Sequence, residues 1–277
     1  MALTPTGHGR LRVLEACREG WIAFGRAPVP FLLFSLLSSV ATGASGLLLV
    51  LGGAALVMVP AASELPDTLP DTTLPRLIVL LISLGAFLVG GLLVGLVMLV
   101  TTLGFCRGAW LALEGHRPRF ADLIRWDGAA INRLILAWTA WQLLLLVALV
   151  PLGLLGLGLA ARGLPPPIWW PIGLIALAIG TWFGITQTFI NPLCLLQNAK
   201  PFAAVTSGIK AVQVQWWRVF GLCGLLAAVM VLISGASVSA LAIALAPVLG
   251  CINMAAYRQI FGSDDRLGLA TPRAPVR

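Results

Sequence analysis

The residues able to do chemistry are few and scattered. Five cysteines, Cys17, Cys106, Cys194, Cys223 and Cys251, form no CxxC pair, and the two histidines, His8 and His116, are far apart. Metal ligands of these types need close spacing to converge on one ion, so neither a metal nor a cofactor is expected. Only ten residues in 277 are acidic, and no acid/base pair or nucleophile–base set stands out, so an enzyme is not expected. What remains is a group of uncharged polar residues set in apolar sequence: Gln142, Gln187, Asn191 and Asn253. Asn191 is followed by Pro192, which has no N–H and leaves the carbonyl one turn earlier unpaired.

The elements around these residues are apolar helices. The chain is 59% hydrophobic and 10% charged, against about 25% charged in soluble domains. Runs of 37, 30, 28, 37 and 39 residues without formal charge separate Arg26 from Glu64, Arg76 from Arg107, Arg133 from Arg162, Arg162 from Lys200, and Arg218 from Arg258. About 20 apolar residues suffice to cross a bilayer. The class is therefore an all-α integral membrane bundle, which excludes a soluble enzyme, a secreted disulfide scaffold and a free nucleic-acid-binding domain. The net charge of +8 suits cytoplasmic loops and anionic headgroups, and no nucleic acid partner is expected. Residues 10–26 carry six charges, so the first span follows without a cleavable signal peptide.

Charge also sets the sides. Segments 1–27, 107–133, 198–218 and 258–277 hold four, five, three and four of the eighteen Lys and Arg, whereas the loop at 60–76 carries Glu64, Asp67 and Asp71. The positive-inside rule puts the basic segments in the cytoplasm. The last run lies between two basic segments, so it crosses twice, turning at Ser234-Gly235-Ala236-Ser237. The total is six transmembrane helices with both termini cytoplasmic. The alternative is five, one of them long and tilted. Residues 1–10 read as a tail, 11–262 as one membrane domain, and 263–277 as a cytoplasmic tail.

Three cytoplasmic segments share a design. Leu14, Cys17, Trp21 and Phe24 recur at helical spacing in 11–26. Phe120, Leu123, Ile124 and Ile131 do so in 118–133, and Phe202, Val205, Ile209, Val212, Trp216 and Val219 in 201–220. Each segment ends in an arginine, Arg26, Arg133 or Arg218, and runs into a span. The unit is an amphipathic helix, a basic anchor and a hairpin, three times over. Trp21, Trp216 and Trp217 suit the inner interface beside those anchors. The amphipathic helices either sense lipid or dock a partner, or they cap the mouth of the bundle. Ala86xxxGly90, Gly91xxxGly95 and Gly104xxxGly108 permit close helix approach, within one chain or between two.

The stretch Arg107-Gly108-Ala109-Trp110-Leu111-Ala112-Leu113-Glu114-Gly115-His116-Arg117-Pro118-Arg119-Phe120-Ala121-Asp122-Leu123 ends a span and opens a "PxFxDL" helix. With Pro201-Phe202-Ala203-Ala204-Val205, Trp216-Trp217-Arg218-Val219-Phe220 and Ala255 to Gly262, it resembles a broad family of uncharacterised bacterial multi-pass proteins. That family includes the membrane domain fused to some glycerophosphodiester phosphodiesterases. The resemblance spans about residues 11–262 and implies a six-helix protein of the bacterial inner membrane. The acidic residues are too few and too peripheral for phosphodiester hydrolysis, so that activity is not carried over.

At about 1.5 Å per residue, Gln142, Gln187, Asn191 and Asn253 all fall in the cytoplasmic half of the bilayer, on three helices. They form a polar cavity for a headgroup or small polar ligand, or else they make hydrogen bonds between helices. The five thiols lie on the same side, in a reducing compartment where free cysteine is the default. The resulting reading is a non-enzymatic membrane protein that binds lipid or organises other membrane proteins. Its partners are membrane lipids and, in the organising reading, those proteins. A carrier or channel for a small uncharged or anionic molecule is the alternative, supported by the repeated hairpins.

Overall fold

The computed structural model describes residues 9–61, 73–163, 165–197, 200–235 and 239–262. The acidic loop with Glu64, Asp67 and Asp71, the turn residues Ala236-Ser237, most of the 1–10 tail and the 263–277 tail lie outside them. Among the described residues there are helices and no strand. In chain order they are α1 (Val13–Arg26), α2 (Pro28–Ala61), α3 (Thr73–Leu113), α4 (Phe120–Leu123), α5 (Gly128–Ala161), α6 (Pro166–Thr186), α7 (Ile190–Leu196), α8 (Pro201–Gln213), α9 (Trp216–Gly235) and α10 (Ser239–Phe261).

Five stretches are long and apolar enough to cross a membrane: Pro28–Met58, Leu77–Leu113, Gly128–Ala161, Pro167–Leu196 and Ile243–Phe261. α8 and α9 pass the same test only as a pair bent by 101°, which brings the number to six if that pair is one span. Among the described residues the chain is helical throughout its regular structure, with five or six helices long and apolar enough to span a membrane.

Burial is concentrated at one end. One core cluster joins Phe31 and Phe34 at the start of α2, Leu103 to Leu113 at the end of α3, and Leu134 and Ala137 at the start of α5. To these it adds α7, the inner face of α8, Val219 and Leu222 of α9, and Val248 to Phe261 of α10. This is the base of the molecule. Away from it, Val50 and Val57 of α2, Leu154 and Leu157 of α5, Leu177 of α6 and Val231 of α9 are exposed. A soluble monomer does not leave so much contiguous apolar surface uncovered; in a bilayer that surface costs nothing.

The far part of the α2–α3 hairpin is held by glycine. A Cβ on Gly52 would stand 2.5 Å from the backbone N of Phe87, and one on Gly90 2.5 Å from that of Leu49. Gly104 and Gly108 do the same job nearer the base, against Phe34, Phe31 and Leu123. These small residues pack helices of one chain, whereas Gly95 has nothing within 4 Å.

The three repeated segments differ from the expectation in instructive ways. In α1 the buried face is Ala16, Gly20 and Ala23, because the small stripe lets α1 lie directly on α10. A Cβ on Gly20 would come within 2.6 Å of the Ile252 backbone. Leu14 and Trp21 therefore point outward, 83% and 60% exposed. The expected helix over 118–133 is only the single turn α4, followed by an irregular stretch. Asp127 then caps a new helix by accepting from Ala130 N–H at 3.0 Å, as short acidic side chains do. Arg133 thus lies inside α5 instead of closing an interfacial helix. The expected helix over 201–220 turns sharply after Gln213, with Phe202 exposed and Ala204, Gly208 and Ala211 buried beside Val205 and Val212.

The span ending at Arg107 also needs correction. α3 runs on to Leu113, so Arg107 is an arginine within it, 2% exposed. Its Nη1 donates to the carbonyls of Arg125 at 2.6 Å and Asp122 at 3.3 Å, and its Nη2 is 3.9 Å from Asp127 Oδ2. The charge is bound to the ends of the α4 segment and clamps that segment to the base.

Candidate functional site

The polar residues converge where the fourth span breaks. α6 stops at Thr186 and α7 starts at Ile190, with Gln187 and Phe189 as the flanking caps. Pro192 sits in the first turn of α7, where its missing N–H is tolerated. Thr188 lies in the break ahead of the α7 N-cap, so its carbonyl receives no helical hydrogen bond. Asn253 of α10 fills that vacancy, its Nδ2 lying 3.4 Å from Thr188 O.

Other helices close in on the same few residues. Trp138 of α5 donates its indole N–H to Asn191 Oδ1 at 3.0 Å. The Thr188 hydroxyl donates to Ile185 O at 2.8 Å and lies 3.3 Å from Cys223 Sγ of α9. The Thr186 hydroxyl donates to Phe183 O at 3.0 Å, a local bond that favours ending a helix. From α8, Gly208 comes so near that a Cβ there would stand 3.1 Å from Thr186 O and 3.7 Å from Gln187 Oε1. The break is a junction of α5, α8, α9 and α10.

Of the four polar residues singled out, three meet here. Asn191 accepts from α5 and Asn253 donates to Thr188 in the break, but the Asn253 Oδ1 is buried without a partner. Gln187 is 6% exposed, and neither atom of its carboxamide has a partner. Gln142 does not join them; it lies on the exposed face of α5. Depth along a helix was readable from spacing, but rotation about its axis was not. Trp138, Thr188 and Gly208 were not singled out and Cys223 was read only as a free thiol; of these Thr188 carried a signal, standing four residues before Pro192.

The expected interface anchors divide similarly. Arg26 donates to the carbonyl of Ala112, Arg258 to that of Leu113 at 2.9 Å, and Arg133 to that of Cys194 at 3.3 Å. Ala112 and Leu113 end α3 and Cys194 lies in the last turn of α7, so these arginines satisfy carbonyls at helix C-termini. Arg258 also reaches Glu19 Oε2 at 3.2 Å and Glu114 Oε1 at 3.9 Å, tying α1, α3 and α10 together. Arg218, Trp21 and Trp217 are exposed, and Trp216 is half-buried against Phe220. All five cysteines are free. Burial pushes the Cys17 thiol upward from its ordinary range.

Chemically, the junction offers neutral hydrogen-bond donors and acceptors and no titrating pair. It can hold water or a small neutral polar group. No protein-family model, curated protein or solved structure matches the chain.

Proposed function

We propose that this chain is a non-enzymatic integral membrane protein that holds lipid between its helical hairpins. In this reading it lies in a bacterial inner membrane with both termini in the cytoplasm. Its six spans form three hairpins, α2 with α3, α5 with α6–α7, and α9 with α10. α1, the α4 segment and α8 lie at the inner interface as the three preceding elements. The resemblance to the multi-pass family extends, on this reading, to the membrane domain alone, and no catalytic step is assigned.

One observation carries the reading: a sealed base with uncovered hairpins beyond it. Acyl chains are what meets the uncovered surface of Val50, Val57, Leu154, Leu157, Leu177 and Val231 in a bilayer. The rim of the base supports the same position. Trp21, Trp126, Phe202 and Trp217 are exposed there, and so are Arg18, Arg125, Lys210 and Arg218. Aromatic and basic side chains together suit the headgroup level of the inner leaflet.

Native mass spectrometry of the purified chain tests it. Phospholipid should remain bound through mild detergent, and stripping it should lower the unfolding temperature. Full delipidation without any such loss would count against the proposal. Topology is read separately. A cysteine at Asp67 should react with an impermeant reagent from outside, and one at Asp122 should not.

A carrier is the second reading, favoured by the unpartnered Gln187. A transported or bound polar solute would use that carboxamide, so Gln187→Met would weaken the protein's response to the solute. If no uncharged or anionic solute shifts the unfolding of the unaltered protein, the carrier reading fails.

A further inference from the structure

The face shared by α2 and α3 carries a groove of about 230 Å³ just above the base. Phe34, Leu37 and Ala41 form one wall, and Leu96, Val97 and Val100 form the other. Phe34 is buried and fixed from below by edge contacts to Phe105 at 5.2 Å and Phe120 at 6.5 Å between ring centroids. The mouth is formed by Ile124 and Trp126, the latter 62% exposed.

That mouth does not depend on a loose loop. Arg107 holds the Arg125 carbonyl at 2.6 Å, and a Cβ on Gly104 would meet the Leu123 carbonyl at 2.6 Å. The segment is therefore pressed onto α3, with Arg125 standing between the two residues of the mouth. Its acidic groups are already committed. Asp122 accepts from Arg119 N–H at 2.9 Å, and Asp127 caps α5 and faces Arg107. Arg117, Arg119 and Arg125 are exposed, and none has an ion-pair partner among the described residues.

An apolar slot beneath an aromatic side chain, beside uncompensated arginines at the membrane interface, matches a lipid whose chain is apolar and whose headgroup is negative. We propose that this groove is a binding site for one acyl chain of an anionic phospholipid, with its phosphate on Arg125. The proposal rests on the membrane position argued above and adds the site and the lipid class. The rival occupant is a transmembrane helix of a partner or a second copy, which carries no negative charge to meet the exposed arginines. Charge argues against a neutral lipid, because arginines near the surface favour anionic headgroups.

The test uses the full chain in nanodiscs containing equal phosphatidylglycerol and phosphatidylethanolamine. Native mass spectrometry after release should show one retained lipid, enriched in phosphatidylglycerol. Arg125→Ala, an exposed change that leaves the fold intact, should lower that enrichment about fivefold. Ala41→Trp, which fills the slot, should remove the retained lipid. Arg10→Ala, an exposed change ahead of α1, should change nothing. Retention of both lipids without preference, or an unchanged preference in Arg125→Ala, overturns the anionic site while leaving the lipid-holding reading standing. Retention of neither lipid overturns both. A lipid-free dimer would mean that a second copy occupies the groove, which also overturns the proposal.

Discussion

The contact between α1 and α10 allows a test in which one substitution, made twice in one helix, should give opposite signs. At Gly20 a Cβ would stand 2.6 Å from Cα, N and Cγ1 of Ile252, whereas at Gly25 nothing lies within 4 Å. Ordinary contact begins near 3.4 Å, so Gly20→Ala forces the two helices apart by about 1 Å in a close-packed region. Two of the three atoms struck are backbone, so no rotamer change relieves the clash. Overpacking of this kind costs about 1–3 kcal/mol, and the upper half applies where backbone must move. Against it stands the gain of alanine over glycine in a helix, about 1 kcal/mol. The net for Gly20→Ala is a loss of about 1–2 kcal/mol. Gly25→Ala receives only the gain, reduced because it lies in the last turn of α1. The assay is thermal unfolding in detergent followed by tryptophan emission. At about 2–4 °C per kcal/mol, Gly20→Ala should unfold about 2–8 °C lower, and Gly25→Ala at or slightly above the parent temperature. Equal shifts in the two variants would refute the close approach of α1 to α10.

Asn253→Ala should destabilise by about 0.6–1.7 kcal/mol, the range for hydrogen bonds within a bilayer, because it removes the donor to the Thr188 carbonyl in the break. An unfolding temperature equal to the parent's would contradict this. Arg107→Met should cost about 2 kcal/mol, since charge-assisted bonds to the Arg125 and Asp122 carbonyls are lost from a buried site. An unchanged midpoint would show that those bonds are not what holds the α4 segment. Burial raises the Cys17 thiol, so its thiolate fraction at a given pH is below that of an ordinary thiol. Maleimide labelling of a variant retaining only Cys17 should therefore reach half its maximal rate at a higher pH than an unfolded peptide of the same sequence; an equal or lower midpoint would contradict it.

Spans were legible because lipid imposes a length and an apolarity that soluble folds do not. The helix break was legible in part, because Asn191-Pro192 announces a missing N–H one turn after Thr188. The partner of the Thr188 carbonyl, Asn253, lies 65 residues away, and no local pattern reports such a distance. Gln142 shows the complementary limit. Its distance from Arg133 fixes a rise along the helix, but a helix has the same rise whichever way it is turned. In α1 two stripes were equally periodic, Leu14-Cys17-Trp21-Phe24 and Ala16-Gly20-Ala23. Bulk suggested the first as the packing face, and close backbone approach selected the second. Arg107 was assigned to a loop by its charge, although the helix continues past it through the buried Ala109, Trp110, Ala112 and Leu113.

The ion pair between Glu19 and Arg258 joins residues 239 positions apart. Synthesis proceeds at about 5–20 residues per second, so α1 exists for about 12–48 s before the surface it rests on has been made. Until then the base cannot close. The last helix to emerge receives the first, and every truncation that stops short of α10 leaves α1 with its glycine face open.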